Sequence, residues 1–79
     1  MRVHIAEDEE SGRWFITESD VPGLRLEGPD AASLIRRIEL AAPELAEANA
    51  EEIERLHGIA PGSPIRIVPV FDSPIRLAA

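Results

Sequence analysis

The 79-residue chain has no cysteine, no lysine and only three aromatic residues. Without cysteine it can form neither a disulfide nor a thiolate metal site, and it has no thiol nucleophile. Three aromatics are too few to favour binding of single-stranded nucleic acid by base stacking. No apolar run approaches the roughly 18 residues of a membrane span, and the first residues do not resemble a signal peptide. We therefore expect a cytoplasmic protein with no membrane contact.

Acidic residues dominate the charge, with 15 Asp and Glu against 8 arginines and a net charge of −7. A chain that binds phosphate backbones needs clustered basic side chains, and the adjacent pair Arg36 and Arg37 is too small a patch. Direct binding of nucleic acid is therefore not expected. The same imbalance would attract and steer a basic protein surface.

The length predicts one small domain over residues 1–79, without a separate DNA-binding domain. A chain this short buries only about 60 to 65% of its unfolded surface, so its core is small. Domains of this size commonly gain stability by association, and we expect a homo-oligomer.

Period-two alternation predicts four strands, at residues 2–6, 13–19, 24–27 and 65–71. A hairpin turn rich in acids joins the first two strands. Pro22 and Gly23 suit the two central positions of a type II turn between the second and third strands. Pro69 cannot donate a ladder hydrogen bond, which favours an edge position or a bulge for the fourth strand.

Apolar residues recur at three- and four-residue steps from residue 34 to residue 56, which predicts an amphipathic helix. Asp30 is a good N-cap and Gly58 a good C-terminal stop. Pro43 allows two interpretations. Either one helix kinks near Ala42, or a second helix begins with Pro43 at its first position. The apolar stripe stays in register across the proline, which favours a kink or two closely abutting helices.

The predicted order is β-β-β-α-β, an α+β meander with a helix packed on one sheet face. Phe15, Val68 and Val70 remain available on the other face. They are candidates for self-association.

The sequence contains no recognisable catalytic or metal-binding pattern. The acids at residues 7–10 lack the ligand spacing of a calcium loop, and a solvated turn is the better interpretation. His4 and His57 have no partner at metal-ligand or triad spacing, and the serines lie at turns or helix starts. We therefore expect no enzymatic activity, no metal and no cofactor.

The order of short motifs resembles the HicB-like antitoxin family. The motifs are "EDEESG", "RWFITES", "DVPGL", "RLEG" and "PDAASLIRRIE". The helix ending "PELAEAN" is similar to a small subgroup of domains of unknown function in that superfamily. The resemblance covers about residues 3–50. It implies a partial ribonuclease H-like fold without that fold's catalytic acids.

The resemblance also implies a function, since HicB-like proteins neutralise a small basic toxin that cleaves messenger RNA. It implies partner contacts around the hairpin and turn, at Trp14, Asp20, Val21, Pro22 and Glu27. The chain departs from full-length members because there is room after Gly58 only for a strand and a tail. Operon repression is therefore not expected. The alternative is a stand-alone, self-associating homodimer with no toxin partner.

Overall fold

The computed structural model describes residues 1–76. Within that range the elements follow the predicted order, with the helical part divided in two. They are β1 (Arg2–Glu7), β2 (Trp14–Ser19), β3 (Glu27–Gly28), α1 (Ala31–Ala48), α2 (Ala50–His57) and β4 (Val68–Phe71). The predicted small α+β fold is confirmed.

The four strands form one mixed sheet in the order β3-β2-β1-β4. β1 pairs antiparallel with β2, and β2 pairs antiparallel with β3. β4 lies parallel to β1 at the edge, where a strand containing Pro69 is tolerated. The two helices make the crossover that a parallel pair requires.

The helices cover one face of the sheet. On β1, Val3 and Ile5 point into the core and are fully buried, while Arg2 and His4 point to the opposite face. The core residues of α1 that join them are Leu34, Ile38 and Ala42, at four-residue steps. The buried residues of β1, at every second position, therefore pack against the apolar stripe of α1, as the sequence pattern predicts.

Two strands are shorter than predicted. Leu24 follows the turn directly and is 3% exposed, so it enters the core before the ladder begins, and β3 consists of Glu27 and Gly28 only. At the other edge, Val68 pairs with Arg2, the first residue of β1. Residues 65–67 therefore lie beyond the end of the ladder.

The predicted turn and helix ends are confirmed. The Leu24 N–H donates to the Val21 carbonyl at 3.3 Å across Pro22 and Gly23, and Gly23 has φ of +77°. The Asp30 carboxylate accepts the Ser33 N–H at 2.7 Å, and this hydrogen bond lowers the pKa of Asp30. Gly58 ends α2 in the left-handed conformation.

Of the two alternatives at Pro43, a second helix beginning with that residue is wrong, because α1 continues through Pro43 to Ala48. Pro43 is exposed and lies four residues after Glu39, which is also exposed, so water can satisfy the carbonyl that the proline leaves unpaired. The break falls at Asn49. Its side-chain Nδ2 donates to the Leu45 carbonyl at 2.8 Å, a local bond that competes with continued helix.

Neither described helix combines the length and the apolar character needed to cross a bilayer.

Candidate protein-binding surfaces

The sheet face that the helices leave uncovered is called the open face. Strand register places Val68 beside Arg2, Val70 beside His4 and Phe15 beside Ala6, all on the side opposite Val3 and Ile5. Val68 is 45% exposed, and Phe15 and Val70 are half-buried. The prediction that these three share one face is confirmed. Their role in self-association stays a prediction.

Asp72 organises a polar cluster on the open face. His4 Nδ1 lies 3.0 Å from Asp72 Oδ1, and Thr17 Oγ1 donates to Asp72 Oδ2 at 2.8 Å. The hydrogen bonds from His4 and, next, from Thr17 hold the pKa of the Asp72 carboxyl below its ordinary value. One carboxylate thus ties β1, β2 and the end of β4 together and stays ionised at neutral pH.

The outer edge of β4 offers few hydrogen bonds to an added strand. The N–H groups of Val68 and Asp72 donate inward, to Met1 and Ile5 of the first strand region, at 2.9 and 2.8 Å. Alternate residues direct their backbone groups the other way, so position 69 faces solvent. Pro69 has no N–H there, which disfavours pairing along this edge.

The opposite edge is also occupied. β3 is two residues long, and the carbonyl of Glu27 accepts a hydrogen bond from Arg37 Nη1 at 2.7 Å. A short edge whose acceptor is already used is a poor template for another strand. Partner binding is therefore better served by a surface of the domain than by strand addition.

Trp14 and Glu27 lie near one end of β2. Trp14 packs against the core cluster and makes an edge-to-face contact with Phe71, with ring centroids 5.8 Å apart. Glu27 is exposed and forms a 3.3 Å ion pair with Arg13. Of these two predicted contact residues, Glu27 presents its side chain more fully to solvent.

Asp20, Val21 and Pro22 lie at the other end of β2. The Asp20 carboxylate accepts the Arg2 N–H at 2.8 Å, and Pro22 is half-buried. Val21 is 1% exposed, so its side chain serves the core in this structure. The structure therefore does not gather the five predicted contact residues into one patch.

A second surface, the helix groove, runs between the helices and residues 59–67. Its central cavity has a volume of about 440 Å³ and is continuous at each end with a neighbouring depression, because each pair shares lining residues. The apolar lining of the central cavity is Pro43, Ala46, Ala50, Ile53, Ile59, Ala60, Pro61 and Ile65.

Charge along the helix groove is strongly one-sided. Its lining includes four carboxylates, those of Glu39, Glu47, Glu51 and Glu52, and one guanidinium, that of Arg66. The Arg66 carbonyl accepts the amino terminus of Met1 at 2.7 Å, which fixes the backbone at that end of the groove. The result is an apolar floor with an acidic rim.

Sequence reasoning missed both the Asp72 cluster and the helix groove. Extending the alternation of Val68 and Val70 by two residues puts Asp72 on the open face, and parallel pairing of β4 with β1 then brings it to His4. Alternation from Phe15 puts Thr17 on the open face as well. The register shift between β1 and β2 beside Thr17 is not predicted by alternation. The groove depends on where residues 59–67 return across the helices.

Residues 1–58 match the family model of a domain of unknown function, DUF1902. The chain belongs to the DUF1902 family. The match spans β1 to α2, so β4 lies beyond the matched part. No curated protein and no solved structure is detectably similar to the chain.

Proposed function

We propose that this DUF1902 protein is an antitoxin-type module that neutralises a small basic RNA-cleaving toxin by direct binding. One observation carries the proposal, which is the charge of the helical surface. From residue 39 to residue 54 the helices hold six glutamates and no basic residue. All six lie at positions outside the buried stripe. This is a protein surface suited to a cationic partner.

A concentrated negative potential acts mainly on association. Oppositely charged surfaces raise the association rate over the neutral case, and salt screens that effect over about 10 Å at 0.1 M. Nucleic acid is repelled by the same potential, which leaves a basic protein as the complementary macromolecule. The resemblance of the motif order to HicB-like antitoxins adds the class of partner, an RNA-cleaving toxin.

Co-expression tests the proposal. A tagged copy of this chain is expressed with the product of an adjacent reading frame that encodes a short basic protein. We expect a stoichiometric complex whose affinity falls as NaCl rises from 0.05 to 0.5 M, and loss of messenger RNA cleavage in its presence. An unrelated basic protein of similar size is the control for simple charge attraction. Absence of a complex, or cleavage that continues within it, would refute the antitoxin function.

A second candidate function is a homodimer without a toxin. It is favoured by the shared exposure of Phe15, Val68 and Val70 on the open face. Sedimentation of the purified chain tests it, with Phe15→Glu as the disrupting variant. Leu56→Glu is the matched control, because Leu56 is 58% exposed on α2 and the new charge is the same. A monomer at millimolar concentration, or equal effects of the two variants, would exclude a dimer through this face.

A further inference from the structure

We infer that the helix groove is the docking site and that its occupant is a basic amphipathic helix of the partner protein. The identity of that partner rests on the proposed function, whereas the chemistry of the occupant follows from the groove. The apolar lining calls for apolar side chains along one face of the ligand. The acidic rim calls for Lys or Arg beside them.

The floor of the groove belongs to the folded domain. Ile53 is 2% exposed and Ala46 is 4% exposed, so both are held in place by packing and form a preformed surface. Ile59 and Ile65, from the returning segment, are half-buried and form the opposite wall. Side chains that enter between these walls would remove further apolar area from water, at about 25 cal/mol per Å².

The acidic rim follows the direction of the helices. Glu39 lies at one end, Glu47 beside the central cavity, and Glu51 and Glu52 at the other end. Glu39 and Glu47 are eight residues apart on α1, about 12 Å at 1.5 Å per helical residue, and the rim continues past the break at Asn49 to Glu51 and Glu52, for about 20 Å of helical path in total. A partner helix of three to four turns has that length, with basic side chains able to reach several of the carboxylates.

A helix fits this groove better than an extended strand. The wall formed by residues 59–67 contains Pro61 and Pro64, which have no N–H to offer, and the Ser63 N–H already donates to Ala60. A strand docked there would leave its own backbone groups unpaired. A helix satisfies its backbone internally and needs only side-chain contacts, as in other helix-in-groove complexes.

The open face is less suited to this occupant. Its centre holds the Asp72 carboxylate, which His4 and Thr17 already occupy. Arg2 and Glu18 lie on the same face, so its charges have both signs. Along the groove, Glu52 has a long 3.9 Å ion pair with Arg55, whereas the other three described rim carboxylates have no ion-pair partner, so a cationic helix has more carboxylates available there.

The test uses a designed 14-residue peptide and the full chain. The peptide has leucines at i, i+4, i+7 and i+11, lysines over the rest of its surface, and blocked ends. An analogue with glutamate for every lysine is the charge control. Titration of the ¹⁵N-labelled chain is followed by NMR amide shifts. We expect shifts at Ala46, Glu47, Ala50, Ile59 and Ile65 with the basic peptide, and none with the acidic analogue.

Matched variants localise the contact. Glu47→Arg reverses a charge inside the groove, and Glu54→Arg makes the same change at an exposed residue that does not line it. An exposed ion pair is worth about 0.2 to 1 kcal/mol, so converting that attraction to an equal repulsion weakens binding by about two- to thirtyfold for Glu47→Arg. We expect less than a twofold change for Glu54→Arg. Ile65→Ser should weaken binding at high salt as well, because it removes apolar wall.

Three results would overturn the groove assignment. They are equal losses for Glu47→Arg and Glu54→Arg, shifts concentrated at His4, Phe15 and Val70, and equal binding of the acidic analogue. The same pair of variants separates the two proposals when tested with the basic toxin. If the toxin binds and both variants retain affinity equally, the groove assignment fails and the antitoxin function stands. If the peptide occupies the groove and no toxin binds, the antitoxin function fails and the groove assignment stands.

Discussion

Replacement of Ile53 by alanine should release α2 from the domain without unfolding the rest. Within α2, Ile53 is the one buried residue. An eight-residue helix has almost no stability of its own in water, because nucleation costs more than a few hydrogen bonds return. Apart from one exposed hydrogen bond, from His57 Nε2 to the Asp20 carbonyl at 3.1 Å, the position of α2 therefore depends mainly on this side chain. Leu56, 58% exposed on the same helix, provides a matched comparison.

The magnitude follows from the atoms removed. Ile53→Ala deletes three buried carbons, which is about 2.4 kcal/mol at 0.8 kcal/mol per carbon. Ile53 also lines the open helix groove, so solvent can fill part of the space. We therefore expect a total near 2 to 3 kcal/mol, the lower part of the range for such substitutions. At 1.4 kcal/mol per tenfold change, the lower figure corresponds to about 30-fold in the opening equilibrium of α2.

Native-state hydrogen exchange measures that opening. The reporting amides are those of Ile53, which donates to Asn49, and of Gly58, which donates to Glu54. We expect exchange about 30-fold faster at these amides in Ile53→Ala, with a smaller change at Ile38 in α1. In Leu56→Ala the change should stay within about twofold, as for exposed substitutions. Equal acceleration in the two variants, or uniform acceleration through α1 and the sheet, would refute α2 as a separately opening unit.

Two further predictions concern the sheet. Asp72→Asn should destabilise the domain at neutral pH, because the folded-state pKa of Asp72 is lowered by its hydrogen bonds from His4 and Thr17. The ionised carboxylate contributes stability above its unfolded pKa of about 3.9, and this stability is lost as pH falls through the lower folded pKa. The urea midpoints of wild type and variant should therefore converge as pH falls below about 3.9. A constant difference from pH 7 to pH 2.5 would contradict this linkage. Gly28→Ala should cost about 1 to 3 kcal/mol, since an added Cβ would lie 3.2 Å from the Leu34 backbone nitrogen; an unchanged urea midpoint would show that the first turn of α1 can move away.

Local chemistry predicted the features that depend on neighbouring residues. Pro22 with Gly23, Asp30 and Gly58 act within a few positions of themselves, and each lies where its type indicates. The faces of the strands were also predictable, because apolar and polar residues alternate wherever one face of a sheet packs against a core. The overall α+β order follows from these two signals.

Features that depend on distant residues were not predictable from pattern alone. Pro43 is the strongest helix breaker in its segment, yet the exposed backbone around it tolerates the lost hydrogen bond, and the weaker signal at Asn49 marks the break. The contact of His4 with Asp72 joins residues 68 positions apart. Predicting this contact requires knowing that β4 pairs parallel with β1. Predicting the helix groove requires, in addition, knowing the path of residues 59–67.

The parallel pairing of β4 with β1 has a consequence for synthesis on the ribosome. β1 is synthesised before every other element of the domain, yet its second neighbour in the sheet ends at Phe71. At 5 to 20 residues per second, about 1 to 3 s separate translation of Gly58 from that of Phe71. During that interval the nascent hairpin and helices can already form, while one side of β1 still presents unpaired backbone groups. Chaperone binding to the nascent chain should therefore be concentrated in this window and decline once β4 has emerged.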